Sequence, residues 1–222
     1  MNKVLVLAVH PDDETLGCAG TILRHKAQGD KIYWLIATEI KEKDGFKKSE
    51  VLEREKEIGA VNLAYGFSAV YRLGFSTKRI DELPNVELIE RIAGVINKVK
   101  PSIVYLPFQN DAHSDHRIFF EAAYSCTKKF RYPFIKKVLI METISETEFA
   151  PSLKETTFIP NYFVDISGFL SKKLEIMKIY KKELKRHPFP RSLKNIQALA
   201  IFRGAIAGCK YAESFMILKE IF

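Results

Sequence analysis

Residues 3–9 read Lys-Val-Leu-Val-Leu-Ala-Val and give way at once to His10-Pro11-Asp12-Asp13-Glu14. A run with no polar alternation has no face to offer water, so the strand it predicts is covered on both sides, as strands of parallel sheets are. The change to a histidine beside consecutive carboxylates puts polar chemistry at the carboxyl end of that strand. Open α/β sheets bind their ligands at that end.

The rest of the chain repeats this alternation. Thr15 is expected to cap a helix with apolar positions at Leu16, Ala19, Leu23 and Ala27 and a stop at Gly29. Further strands are expected at 31–37, 69–73, 102–106, 137–141 and 162–165, with helices near 49–64, 84–98 and 118–129. A proline-punctuated stretch fills 143–160. The last third reads as mostly helical, with helices at 167–183 and 196–208 separated by His187-Pro188-Phe189-Pro190, whose prolines interrupt a helix. Strands alternating with helices through right-handed crossovers predict a single α/β domain over 1–222, with a Rossmann-like, doubly wound, mainly parallel sheet and helices on both faces.

Several function classes are excluded at this point. No stretch approaches the ~20 apolar residues of a membrane span, and no signal-peptide core follows Lys3, so a cytoplasmic protein is expected. Cys18, Cys126 and Cys209 are an odd set without a C-x-x-C pair, which reads as three reduced thiols. Cys18 lies near the first motif, but its apolar helix face makes it a small core residue. The net charge of +8 attracts anions in general. The lysine clusters alternate with acids or apolar residues, as solvated faces do, and no nucleic-acid module is legible. A small-molecule substrate is therefore expected, the charge favouring an anionic group on it, with self-association left open.

The second motif, Asp111-Ala112-His113-Ser114-Asp115-His116, follows the fourth expected strand and opens the next helix. In the common doubly wound order the first and fourth strands are neighbours at the switch point, so the turns after them share one crevice. Acidic residues at a helix N-terminus are ordinary taken singly, and two histidines three apart are common on a helix surface. Their joint placement at neighbouring strand ends is what points to a site.

Imidazole and carboxylate donors together suit Zn2+, with three protein ligands and an open position for water; Fe2+ or another divalent ion suits the same donors. The expected ligands are His10, Asp13 and His116. Asp12, beside a ligand but unbound, is the expected general base. His113 is placed to stabilise an oxyanion or to protonate a leaving amine. Asp115 is expected to accept a hydrogen bond from one of the imidazoles, its identity not legible. Glu14 is assigned to ordering the turn.

With these residues in place the sequence resembles the LmbE/PIG-L family of zinc-dependent N-acetylsugar deacetylases. The resemblance rests on Ala8 to Gly17 and on Asp111 to His116, and more weakly on Arg203-Gly204 and Tyr211-Ala212-Glu213. It implies a Rossmann-like fold, zinc on His10, Asp13 and His116, Asp12 as base, and His113 with Asp115 behind it. Family substrates include N-acetylglucosamine linked to inositol, malate or lipid, chitin-derived saccharides and antibiotic precursors. The implied reaction is removal of an N-acetyl group from such an amino sugar. Thr38-Glu39-Ile40 departs from the small residue usual after the second strand. Arg54 and Glu57 are expected to form a helix-surface ion pair, and Arg191 to sit in a turn fixed by proline rather than on a substrate anion.

Two rivals remain. An amidase acting on another acyl amide or a thiol conjugate keeps the metal and changes the bond. A sugar- or nucleotide-binding module lacks the G-x-G-x-x-G loop expected after the first strand.

Overall fold

The computed structural model describes residues 1–222. Its elements are β1 (Lys3–Ala8), α1 (Asp13–Ala27), β2 (Lys31–Glu39), α2 (Lys48–Tyr65), β3 (Ala69–Ser76), α3 (Asn85–Val99), β4 (Ile103–Leu106), α4 (Ser114–Ser125), β5 (Lys137–Met141), β6 (Tyr162–Asp165), α5 (Leu170–Met177), α6 (Leu193–Ala207) and β7 (Ala212–Glu220). The strands form one sheet in the order β3-β2-β1-β4-β5-β7-β6. The first five run parallel in that order, and β7 is antiparallel to both β5 and β6.

β1 shows why an unbroken apolar run demands this arrangement. Val4, Val6 and Ala8 join the core on one side of the sheet and Leu5, Leu7 and Val9 the core on the other, all fully buried. Val4 to Val6 pair with Ile103 to Tyr105 of β4. The turns leaving β1 and β4 are thereby neighbours, as the crossover argument requires.

Two expectations are corrected on the C-terminal side. Residues 212–220 are a strand, not part of a helical third, and they insert between β5 and β6. The second correction concerns 167–183, where only Leu170–Met177 is helical. The chain leaves the helix at Lys178, and Tyr180 turns fully inward to donate its hydroxyl hydrogen to Glu14 Oε1 at 2.8 Å.

The start of α1 also differs from expectation. Asp12, not Thr15, is the N-cap residue, and the Thr15 hydroxyl instead donates to Glu14 at 2.6 Å. The α4 helix likewise begins earlier than 118, at Ser114, so His113 is its N-cap and Ser114, Asp115 and His116 occupy its first turn.

α1 is broken at Cys18, whose φ of −149° and ψ of 25° interrupt the helical ladder. A break of this kind releases carbonyls before it and amides after it, and buried backbone groups need partners. Glu213 of β7 accepts from Gly20 N (2.9 Å), Thr21 N (2.7 Å) and the Thr21 hydroxyl (2.7 Å). Lys173 of α5 donates to the freed Leu16 carbonyl and to Glu213, both at 2.8 Å. The pair is buried and satisfies both sides of the kink. It anchors the short helical segment that carries the first motif. Cys18 itself is fully buried, in keeping with a core role.

Candidate active site

The turn after β1 is built by its own carboxylates. Asp13 Oδ2 accepts from Val9 N (2.9 Å) and His10 N (2.8 Å), which folds the turn back onto the strand end. Glu14 Oε2 accepts from Asp12 N at 3.2 Å, the ordering role expected of it. Asp12 is left with φ at 137°, a conformation rarely adopted by side chains with a Cβ. Strain of this kind persists only where neighbours enforce it.

The turn after β4 brings the second motif alongside. His10 Nδ1 lies 3.3 Å from His116 Nε2, and His116 Nε2 lies 3.3 Å from Asp13 Oδ2. The ligand edges of a tetrahedral zinc with 2.0–2.1 Å bonds are about 3.3–3.4 Å long. Two edges of the set thus match such an ion, and ligand atoms of all three residues lie within 4.8 Å of one another.

The far nitrogen of each histidine is held by a carboxylate. His116 Nδ1 lies 2.8 Å from Asp111 Oδ2, and His10 Nε2 lies 3.2 Å from Asp115 Oδ2. Such partners fix the tautomer and aim the other nitrogen of each ring. Asp115 also receives Lys78 N at 2.7 Å and Ile80 N at 3.3 Å. Its partner is thus His10. The His113 Nδ1 is 4.0 Å from the Asp115 carboxylate and accepts instead from the Asp115 backbone N–H at 3.1 Å. His10, His113 and Asp115 form a second group of donors within metal-binding reach of one another. The hydrogen bonds just described already use Asp115 and the His113 Nδ1.

Electrostatics follow from burial and these pairings. Burial would lower the His116 pKa, but Asp13 and Asp111 raise it well above its ordinary value. Burial would raise that of Asp13, yet the charge and hydrogen bond of His116, with His10, hold it far below the carboxylate range. Positive charge is thus strongly favoured where the donors meet. Burial pushes Asp12 well up while Arg191 pulls it back, and burial raises Glu14 to about 7. Burial and the neighbouring His10 lower His113 to about 4.

The site opens into a cavity of about 360 Å³ lined by His10, Asp12 and His113. Thr38, Glu39 and Ile40 form part of its rim. Around it Glu39, Glu50, Glu53, Glu57, Glu146 and Glu183 outnumber Arg54, Lys78, Lys182 and Arg191. The positive charge of the chain does not gather at the site.

Glu146 carries no signal in the sequence, and the contacts of Asp111, Arg54 and Arg191 with the site go beyond the roles expected of them. Asp111 was visible in the motif, but its partner was not. Arg54 does pair with Glu57 (3.3 Å), yet it also donates to the Pro11 carbonyl at 2.9 Å and lines the cavity. Glu146 accepts from His113 N at 3.1 Å. Arg191 donates to Asp12 Oδ2 at 2.8 Å.

The sequence profile of the PIG-L family, described as GlcNAc-PI de-N-acetylase, matches residues 5–127, more than half of the chain and both motifs. The chain belongs to the PIG-L family. A PIG-L relative, the diacetylchitobiose deacetylase of Thermococcus kodakarensis, is 27% identical over 240 aligned positions, which cover 100% of this chain and 85% of the relative. The probable N-acetyl-alpha-D-glucosaminyl L-malate deacetylase 2 of Bacillus cereus is 31% identical over 150 positions, covering 62% and 67%. Among solved structures, the conserved protein TT1542 from Thermus thermophilus superposes with a TM-score of 0.78 at 25% identity, covering 100% of this chain and 97% of that one. The Thermococcus and Bacillus relatives are named as deacetylases of N-acetylglucosamine-type compounds. The profile match ends before Glu146, which contacts the second motif, and Arg191, which contacts the first.

Proposed function

We propose that this protein is a zinc-dependent hydrolase that removes the N-acetyl group from an N-acetylglucosamine-type sugar or sugar conjugate. The observation that carries the reading is the convergence of His10 Nδ1, His116 Nε2 and Asp13 Oδ2 with a carboxylate behind each histidine. That donor set fits zinc, and the deacetylase names of the PIG-L relatives support the bond broken. Zinc held by His10, Asp13 and His116 supplies Lewis acidity at the acetyl carbonyl and an acidified water.

The remaining chemistry belongs to residues beside the ligands. Asp12, buried at the cavity wall, takes the proton of the attacking water and passes it to the leaving nitrogen, so that acetate and a free amine are released. A buried carboxylate is a stronger proton acceptor than an exposed one. His113 accepts a backbone N–H at Nδ1, which leaves its proton on Nε2 as a donor for the oxyanion of the tetrahedral intermediate. Asp115 orients His10, and Asp111 orients His116. No helix is long and apolar enough to cross a membrane. Three unpaired cysteines accord with a reducing, cytoplasmic setting.

The test is acetate release from free, oligomeric and conjugated N-acetylglucosamine by zinc-loaded protein. Release from at least one of them is expected. Absence of release across the panel, or release only from longer acyl amides, would overturn the reading. A second expectation concerns Asp111→Asn, which should weaken zinc affinity about 10–100-fold, the usual effect of losing a carboxylate behind a ligating histidine. Competition against a chelator measures this. Unchanged affinity would mean that His116 needs no such support.

A further inference from the structure

Arg191 lies in the loop before α6, far in sequence from both motifs, yet it joins them. Its Nη1 donates to Asp12 Oδ2 at 2.8 Å and to Glu183 Oε2 at 2.7 Å, its Nη2 to Glu146 Oε1 at 3.2 Å, and its Nε to the Ser145 hydroxyl at 2.5 Å. Glu146 passes the connection on. Its Oε2 accepts from His113 N at 3.1 Å, and its carbonyl accepts from Ala112 N at 3.1 Å. One guanidinium therefore ties the side chain of Asp12 to the backbone that presents His113.

The same bonds argue against Arg191 as a contact for a substrate anion. A guanidinium has five N–H donors, and the bonds to Asp12, Glu183, Glu146 and Ser145 leave a single one. Three carboxylates already oppose its charge. What the arrangement does accomplish is orientation. With Oδ2 of Asp12 bound to Arg191, the other oxygen, Oδ1, is without a protein donor in a residue that lines the cavity.

We propose that Arg191 is a positioning residue for the reaction: it pins Oδ2 of Asp12 so that Oδ1 meets the attacking water, and through Glu146 it sets His113 toward the same point. The proposal rests on the reading of Asp12 as the base. The planar fork of arginine makes these bonds in fixed directions, and a lysine ammonium does not reproduce them.

The experiment compares native protein, Arg191→Ala and Arg191→Lys, all zinc-loaded, for kcat and KM of acetate release, metal content and thermal melting, with and without millimolar guanidinium chloride. The expected result for Arg191→Ala is a fall in kcat of about 10²-fold, the scale of a misplaced catalytic group, with KM and zinc content little changed. Added guanidinium should restore part of that kcat, and Arg191→Lys should remain slow. Guanidinium should not rescue Asp12→Asn. A raised KM at native kcat would overturn the proposal in favour of substrate contact. Loss of zinc or of folding without rescue would overturn it in favour of a structural role. If the native protein itself releases no acetate, the deacetylase reading falls and takes this inference with it. Native activity with an unaffected Arg191→Ala sinks the inference alone.

Discussion

Replacement of Asp12 by asparagine is expected to slow acetate release by about 10²–10⁴-fold, the range contributed by a positioned proton acceptor, with zinc content unchanged. The two halves of this expectation come from different atoms. Asp13, not Asp12, supplies the oxygen near His116 Nε2, so metal binding should survive. Asparagine has nearly the shape of aspartate and is among the residues that best tolerate positive φ, so the turn that holds Asp12 at 137° should survive too. What is lost is the capacity to take a proton. Turnover and metal analysis on the same preparation check this. Loss of zinc would show that Asp12 and Asp13 have exchanged roles, and retained turnover would remove Asp12 from the chemistry.

The largest effect on stability is expected from Lys173→Met, which leaves Glu213 buried and unpaired. Breaking one side of a buried ion pair costs about 3–5 kcal/mol, and here the Leu16 carbonyl loses its donor as well. Urea unfolding should show a lower midpoint at an unchanged slope. The double substitution Lys173→Met with Glu213→Gln should recover part of the loss, because no unpaired charge then remains at the kink. A midpoint shift equal to that of an ordinary surface change would contradict the role given to this pair in holding α1 across its kink.

The two motifs were legible because each sits where a chain pattern changes. The apolar run of β1 forces burial on both faces, and right-handed crossovers then leave β1 beside β4. From that adjacency alone His10, Asp13 and His116 belong to one crevice, and the structure brings their donor atoms together. The neighbours were illegible for a matching reason. Arg191 and Asp12 are 179 residues apart, and no local pattern links a proline-bounded loop to the first turn. The partner of Asp115 depended on which way the His113 ring turned, and that is set by a backbone N–H.

β7 and the kink in α1 were hidden differently. Ala212 to Glu220 lacks an apolar–polar alternation, since its first half is buried between two strands and its second half is more open. It also follows a helix whose apolar residues occur on every side. In α1 the apolar spacing of Leu16, Ala19 and Leu23 continues through Cys18, so periodicity gives no sign of a break. The compensating groups, Lys173 and Glu213, come from α5 and β7. Only the packed fold brings them to the interruption.

In the proposed reaction, deacetylation depends on zinc held by His10, Asp13 and His116. The most direct test is to strip the protein with a chelator, return zinc in measured amounts, and follow acetate release from an N-acetylglucosamine substrate. Stripped protein should show negligible release, with a linear recovery that saturates at about one zinc per chain. His116→Ala should neither retain zinc nor recover. Full release from stripped protein, or recovery in His116→Ala equal to native, would contradict this dependence.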